Sequence, residues 1–535
     1  MKKWQIDVLV IGSGLAGIRA ALEARLAGAT VLLVSEAAIG KANNTAISKG
    51  FFAIPGKGNH GDDAGQHLID IITGGCNLND PELVTVMVNN LKDEADFLLE
   101  SGVTLTLRSD GSLRYSKFPG HTFPRVLNTA SGSGVGLLAP LAARAAALGV
   151  WMEQGITIIS LQKDTNGVCG VWGHTRQGEP VFMQSSAVIL ATGGAGRLYL
   201  HTNNVPGAVG LGQAMALNAG LALVDMEFVQ FYPTYLRMPG KPRVIILYEV
   251  FVATAGATLR NCLGEDIRNI YNLHDTQTLT RDKLSVAIAS EISAGRGVGP
   301  DGDAVIMDLS TIKDPAKYHK LLPGAVSPHT SELHVGPVAH FTMGGIAVQP
   351  GGETQMPGLW AIGEVAGGIH GANRVGANAL AECLALGRVA GNAAALYAQR
   401  TGRRTPGTDP VPPFKPDIPK ADLSAVEEAL RKTMIAQAGM LRDAESLQAC
   451  LNTIDALEEK LAGQKSLGNL KLGMMLDVAR AISLSALARE ESRGSHCRLD
   501  FPDMCDNYLG NFLIQKFDGK KLKTTFLPRR SLTGV

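Results

Sequence analysis

Near the start of the chain, an apolar run, a glycine-rich turn and a helix-forming stretch follow without a break: IDVLVI (6–11), GSGLAG (12–17) and IRAALEARLAG (18–28). A short aliphatic run of this kind reads as a strand buried in a parallel sheet. A second run, TVLLVSE (30–36), ends in an acid. Strand, glycine turn, helix, strand and terminal carboxylate within about 30 residues make up the unit that binds a dinucleotide. Gly12 permits the tight turn. Gly14 lets backbone amides approach a pyrophosphate at the helix N-terminus, and Gly17 lets helix and strand pack closely. Ser13, Leu15 and Ala16 complete the cofactor-binding turn. Glu36, 19 residues after Gly17, is placed to accept hydrogen bonds from ribose hydroxyls. Lys2 and Lys3 ahead of an apolar run imitate a signal peptide, but cleavage there would destroy the turn.

Two later segments repeat the strand-to-glycine junction: AVILATGGAG (187–196) and GLWAIGEVAGG (358–368). Distant segments returning to one sheet imply an insertion between them. The expected fold is α/β: a Rossmann-like dinucleotide-binding domain in two sequence pieces, 1–227 and 341–400, with an α+β domain inserted over 228–340. A Pro-rich linker (401–420), a helical domain (421–495) and an irregular tail (496–535) follow. Formal charge is +1 with 19% charged residues, which gives no electrostatic footprint for nucleic acid. The seven cysteines form no CxxC, so neither a disulfide framework nor an iron–sulfur cluster of the chain's own is expected. A reducing, cytoplasmic setting follows. No uncharged stretch reaches membrane-spanning length.

Arg374, in HGANRVGAN (370–378), lies among small and apolar residues. Such an arginine pairs with an anion or sits at the surface. Five motifs bear on it: GSGLAG, ATGGAG, AHFTMGG (339–345), IGEVAGGIHGANRVGANAL (362–380) and TRDKLSVAI (280–288). In order and spacing, over residues 5 to about 400, the chain resembles the succinate dehydrogenase/fumarate reductase flavoprotein family, which includes L-aspartate oxidase. LAREESRGSHCRLDFP (487–502) resembles the helical tail of the dehydrogenase and oxidase branches.

The resemblance implies FAD, a mobile capping domain, and a carboxylic acid oxidised or reduced between its α and β carbons. It puts Ala191, Thr192 and Gly193 near the adenine and pyrophosphate, and Gly363 and Glu364 near the ribityl chain. Asn378, Ala379 and Leu380 would lie under the isoalloxazine ring. It makes His340 and Arg374 the clamp on one substrate carboxylate, Arg281 the proton donor or acceptor, and Glu249 its relay. It also suggests an iron–sulfur subunit or other redox protein as electron partner, with homo- or hetero-oligomers open. The chain would then meet the inner membrane face only through a partner.

Four departures from the family pattern shape the functional expectation. Asn43-Asn44-Thr45 stands where respiratory members carry Ser-His-Thr, so FAD is expected to be non-covalent, with Asn44 and Thr45 beside it. The glycine pair that follows becomes Gly50-Phe51, which leaves Gly50 at the cofactor and puts a bulky ring close to the flavin. Tyr232 replaces the histidine of Q-x-H-P-T. In LYEVFV (247–252), Tyr248 and Val252 replace the Thr and Arg of T-E-x-x-R, and only Glu249 remains. Without its polar partners, the second carboxylate of a C4 diacid would cost ~2–5 kcal/mol to bury. Tyr232 and Tyr248 are therefore expected to bind an aryl or otherwise uncharged end of a substituted enoate. Val252 cannot carry a proton, so Arg281 would be recharged through Glu249 and water, or by a tyrosine hydroxyl. Two alternatives stay open: a non-catalytic flavin subunit of a larger redox complex, and a fumarate reductase, succinate dehydrogenase or L-aspartate oxidase proper.

Overall fold

The computed structural model describes residues 3–56, 61–241, 244–275, 278–319, 322, 326–327, 329–402, 423–461, 466–517 and 521–528. Its organising element is a seven-stranded sheet. β1 (Lys3–Ile11) leads into α1 (Leu15–Leu26) and returns as β2 (Val31–Ser35). β3 (Trp151–Gln154), β4 (Ile156–Asp164), β5 (Gly167–Thr175) and β6 (Pro180–Leu190) complete the main path in the order β3-β2-β1-β6-β5-β4. β1 pairs in parallel with both β2 and β6, and β2 with β3, whereas β4, β5 and β6 pair antiparallel.

Successive residues of β1 serve opposite layers, as strand geometry requires. Val8 and Val10 pack into the core shared with α1, and Leu9 and Ile11 into the core shared with the C-terminal helices.

The chain then builds a second, four-stranded antiparallel sheet with its own apolar core. Its strands are β7 (Val229–Leu236), β8 (Thr258–Arg260), β9 (Val305–Asp308) and β10 (Glu332–Thr342), ordered β7-β10-β9-β8. Between β8 and β9 runs α2 (Arg281–Ser293). β11 (Leu359–Ala361) re-enters the first sheet beside β6. α3 (Asn378–Thr401) packs along α1. Among the described residues it is the one helix long and apolar enough to cross a membrane, yet 61% of its apolar window is buried.

α4 (Ser424–Gln437), α5 (Ala444–Leu461) and α6 (Leu467–Ala488) cover the opposite face of the sheet. The Pro-rich segment lies outside the described residues from 403 to 420. The tail is not irregular: β12 (Gly510–Phe517) and β13 (Lys521–Pro528) form a hairpin that adds to the short strand Leu223–Val224. Ile514 is buried where it pairs with Leu223, a distant contact that local pattern cannot anticipate, and Phe512 is buried against Tyr508, Phe526 and the Arg489 guanidinium.

Candidate active site

The turn after β1 is dictated by sterics. Gly12 has φ +112°, and a Cβ there would lie 2.1 Å from the Ala191 carbonyl oxygen. A Cβ on Gly17 would lie 1.9 Å from the Gly12 oxygen. Only glycines let α1 start this close to the sheet. The helix N-cap, Gly14, has no side-chain capping bond. Neither has Ala377, the N-cap of α3, held at φ +68°. Two helices of 12 and 24 residues thus turn N-termini whose own N-cap residues offer no side-chain acceptor, with their positive dipole ends, on one space; at α1 the Leu15 amide donates to Thr45 Oγ1 at 3.2 Å.

That space is a cavity of about 630 Å³ running from Glu36 at the end of β2 to Arg281 at the start of α2. Gly12, Ser13, Gly14, Leu15, Ala16, Glu36, Asn44, Thr45, Ala191, Thr192, Gly193, Gly363, Glu364, Ala379 and Leu380 all line it. The size, the glycine cradle and the paired helix ends fit a dinucleotide. Three residues expected at the cofactor do not line it. Gly17 is spent on helix–strand packing. Gly50, at φ +71°, is crowded by the Ser133 backbone, and the Asn378 side chain turns away to His67 Nε2 at 2.9 Å.

Asn44 is fully engaged by protein. Its Nδ2 donates to Asn204 Oδ1 (2.6 Å) and Glu364 Oε2 (3.3 Å), and its Oδ1 accepts from the Val205 amide. Glu364 also accepts from the Thr342 amide at 3.1 Å, and burial raises its pKa.

At the other end of the cavity, β7, β10, α2 and the loop before α3 converge. Arg374 is 5% exposed and its Cζ lies 4.4 Å from the Phe341 ring centroid. Its Nη2 donates to Gln230 Oε1 at 2.9 Å; its Nε is buried with no acceptor among the described residues. Burial and the nearby Arg281 charge push its pKa down to about 9, which leaves it charged at neutral pH.

His340 lies on the same cavity. His340 Nδ1 lies 2.9 Å from Asn203 Nδ2 and 3.3 Å from Asn203 Oδ1, which also accepts from Asn204 Nδ2. The shorter contact, with Asn203 Nδ2 as donor, favours the tautomer that carries its proton on Nε2. Burial and the two arginines hold the ring well below its usual pKa, hence neutral.

Arg281 pairs with Glu249 Oε1 through Nη2 (2.9 Å) and Nε (3.3 Å). Burial alone would depress its pKa, but Glu249, Tyr232 and Tyr248 keep it above the ordinary arginine value. Tyr232 is 1% exposed, and its hydroxyl donates to Glu249 Oε2 at 2.6 Å. Its ring meets His340 edge-on at 5.4 Å and stands 5.1 Å from Arg281 Cζ.

The structure corrects the tyrosine expectation twice. The Tyr232 hydroxyl is committed to Glu249 and is not offered to a substrate. Tyr248 does not line the cavity; it is 2% exposed in the capping core, its ring edge-on to Tyr232. Tyr235, Val244, Ile245, Leu247 and Val250 line this end instead. Arg260 is no substitute for the missing relay arginine, because it pairs with Asp308 and Glu332 on β9 and β10.

Sequence reasoning missed Gln230, which is fully buried. Its Oε1 accepts from Arg374 and, at 3.4 Å, from Arg281; its Nε2 donates to Asn373 Oδ1 and the Arg374 carbonyl. A glutamine inside the apolar run VQFYPTYL was the available signal.

Fold and cavity define an FAD-dependent oxidoreductase. Residues 7–380 match the FAD binding domain family, and residues 427–530 the fumarate reductase flavoprotein C-terminal family. The chain is 32% identical to a fumarate reductase (CoM/CoB) subunit of Methanothermobacter marburgensis, over 98% of this chain and 99% of the relative. It is 34% identical to an L-aspartate oxidase of Caulobacter vibrioides, over 92% and 93% respectively. A solved quinol–fumarate reductase chain with menaquinol molecules superposes with a TM-score of 0.89 at 28% identity, covering 99% of both chains. The protein belongs to the fumarate reductase/succinate dehydrogenase flavoprotein family.

Proposed function

We propose that this flavoprotein interconverts a saturated carboxylic acid and its α,β-unsaturated counterpart, with a single carboxylate and an aryl or other uncharged substituent. FAD, held without a covalent link, would supply the hydride acceptor or donor. The observation carrying the proposal is Arg374: a buried cation with an unpartnered Nε and no paired carboxylate among the described residues, beside the Nε2–H of His340. A buried charge of this kind demands an anion. Arg374 and His340 would hold the carboxylate, fix the Cα–Cβ bond and draw electron density from it. Arg281 would give the α carbon its proton, in a site dry enough for a guanidinium to act as acid.

Selectivity would come from the far end. Among the described residues, the Tyr232 ring, Tyr235, Val244, Ile245, Leu247 and Val250 line the cavity there, and none of these six is a lysine, arginine or histidine that would pair a second carboxylate. Electrons would come from outside the chain, through an iron–sulfur subunit or another carrier, in a reducing cytoplasm.

The test is reoxidation of the anaerobically reduced holoenzyme by a panel of unsaturated acids. Cinnamate should be favoured over fumarate by at least about tenfold in efficiency. Efficient fumarate turnover would overturn the selectivity. Silence across the whole panel would favour a non-catalytic electron-transfer subunit.

A further inference from the structure

Among the described residues, Glu249 is the only carboxylate paired with Arg281, and its two oxygens serve different partners. Oε1 takes the Arg281 guanidinium, while Oε2 takes the Tyr232 hydroxyl at 2.6 Å. Val252, just beyond Glu249 at the end of the same short helix, is apolar and 1% exposed, so it offers no onward path for a proton. Around Tyr232 stand Glu249 and Tyr248 from that helix (Tyr248–Phe251), Arg281 from α2 and His340 from β10. The phenol oxygen accepts from the Tyr248 backbone amide at 3.3 Å, which orients its proton towards Glu249. Tyr232, 1% exposed, also lines the cavity.

We propose that the Tyr232 hydroxyl is the proton source that recharges Arg281 through Glu249; this rests on the enoate reading of the site. In the reductive direction, hydride adds to the β carbon and an Arg281 N–H proton goes to the α carbon, leaving neutral arginine. The phenol proton passes to Glu249 Oε2. A half-turn of the carboxyl group carries it to Arg281, which regains its charge. The phenolate left behind takes a proton from water as the cavity opens. Oxidation of the saturated acid runs the same steps backwards. Tyr232 touches neither reacting carbon through its hydroxyl; it acts through Glu249.

The test compares wild type with Tyr232→Phe, which keeps the ring and its contacts with Arg281 and His340. Reduced holoenzyme is mixed with cinnamate in H2O and D2O, and binding of 3-phenylpropanoate to the oxidised holoenzyme is measured separately. The single-turnover rate should fall by about 10²-fold, with a larger solvent isotope effect and an unchanged dissociation constant. A more acidic fluorinated tyrosine at position 232 should move the alkaline limb of the rate to lower pH, which a purely structural hydroxyl would not do. An unaltered rate in Tyr232→Phe, a loss confined to binding, or a pH profile indifferent to phenol acidity would overturn the relay. A wild type inert towards every unsaturated acid would instead overturn the enoate reading, and the relay with it.

Discussion

At the residue scale, the central feature is a buried cation, Arg374, with no carboxylate paired to it among the described residues. Arg374→Gln should lower kcat/KM for the acid by about 10²- to 10³-fold while FAD stays bound, since one partner of a buried charge pair is lost; steady-state kinetics and flavin absorbance check both. The pH behaviour follows from the depressed guanidinium. With the free-protein pKa at about 9, and higher once an anion binds, affinity for the acid should be constant below that pH and fall above it. Titrations of carboxylate binding across pH 7–10 would show the limb in wild type and its absence in Arg374→Gln. That His340, Arg374 and Arg281 share one cavity was legible because each sits in a dense motif. Gln230 and Asn203 were not, because bridging two guanidiniums or orienting an imidazole depends on contacts 51 to 144 residues apart. Tyr248 was misassigned for a related reason: a strand or short helix gives no sequence cue to which ring reaches the cavity.

At the scale of elements, the β1–α1 turn and the N-terminus of α3 build the cofactor cradle. Gly17→Ala would push a methyl to within 1.9 Å of the Gly12 oxygen, so the helix must move off the sheet. Purified protein should carry little FAD and melt lower, by an overpacking cost of about 1–3 kcal/mol; full FAD content at unchanged Tm would contradict this account of the turn. The strand–turn–helix unit could be read from sequence because its period, glycines and terminal acid are all local. The placement of the C-terminal hairpin could not, since β12, besides its local pairing with β13, docks on Leu223–Val224, far away in the chain.

At the scale of the whole molecule, the C-terminal segment braces the loop that bears Arg374. The Ser495 amide and hydroxyl both donate to the Ala372 carbonyl, at 2.9 and 3.1 Å. Behind it, Arg489 bonds Glu227 and Glu491, and Asp225 lies fully buried near Glu227 and Asn511. Burial, then Glu227, pushes the Asp225 carboxyl up to about 7 from 3.8. The folded state therefore binds this proton more tightly than the unfolded chain does. Its contribution makes stability fall as pH rises from about 4 to about 7, then stay level. Asp225→Asn, tolerated at φ +60°, should match wild type at the acid end and exceed it above pH 7 in denaturant melts. Function turns on whether Arg374 grips one carboxylate while the opposite wall refuses a second. The most direct measurement is the affinity of oxidised holoenzyme for 3-phenylpropanoate and for succinate near neutral pH, in wild type and Arg374→Gln. Tighter binding of the monoacid, lost in the variant, is the predicted result; succinate binding as tightly, or a variant that binds unchanged, would contradict it.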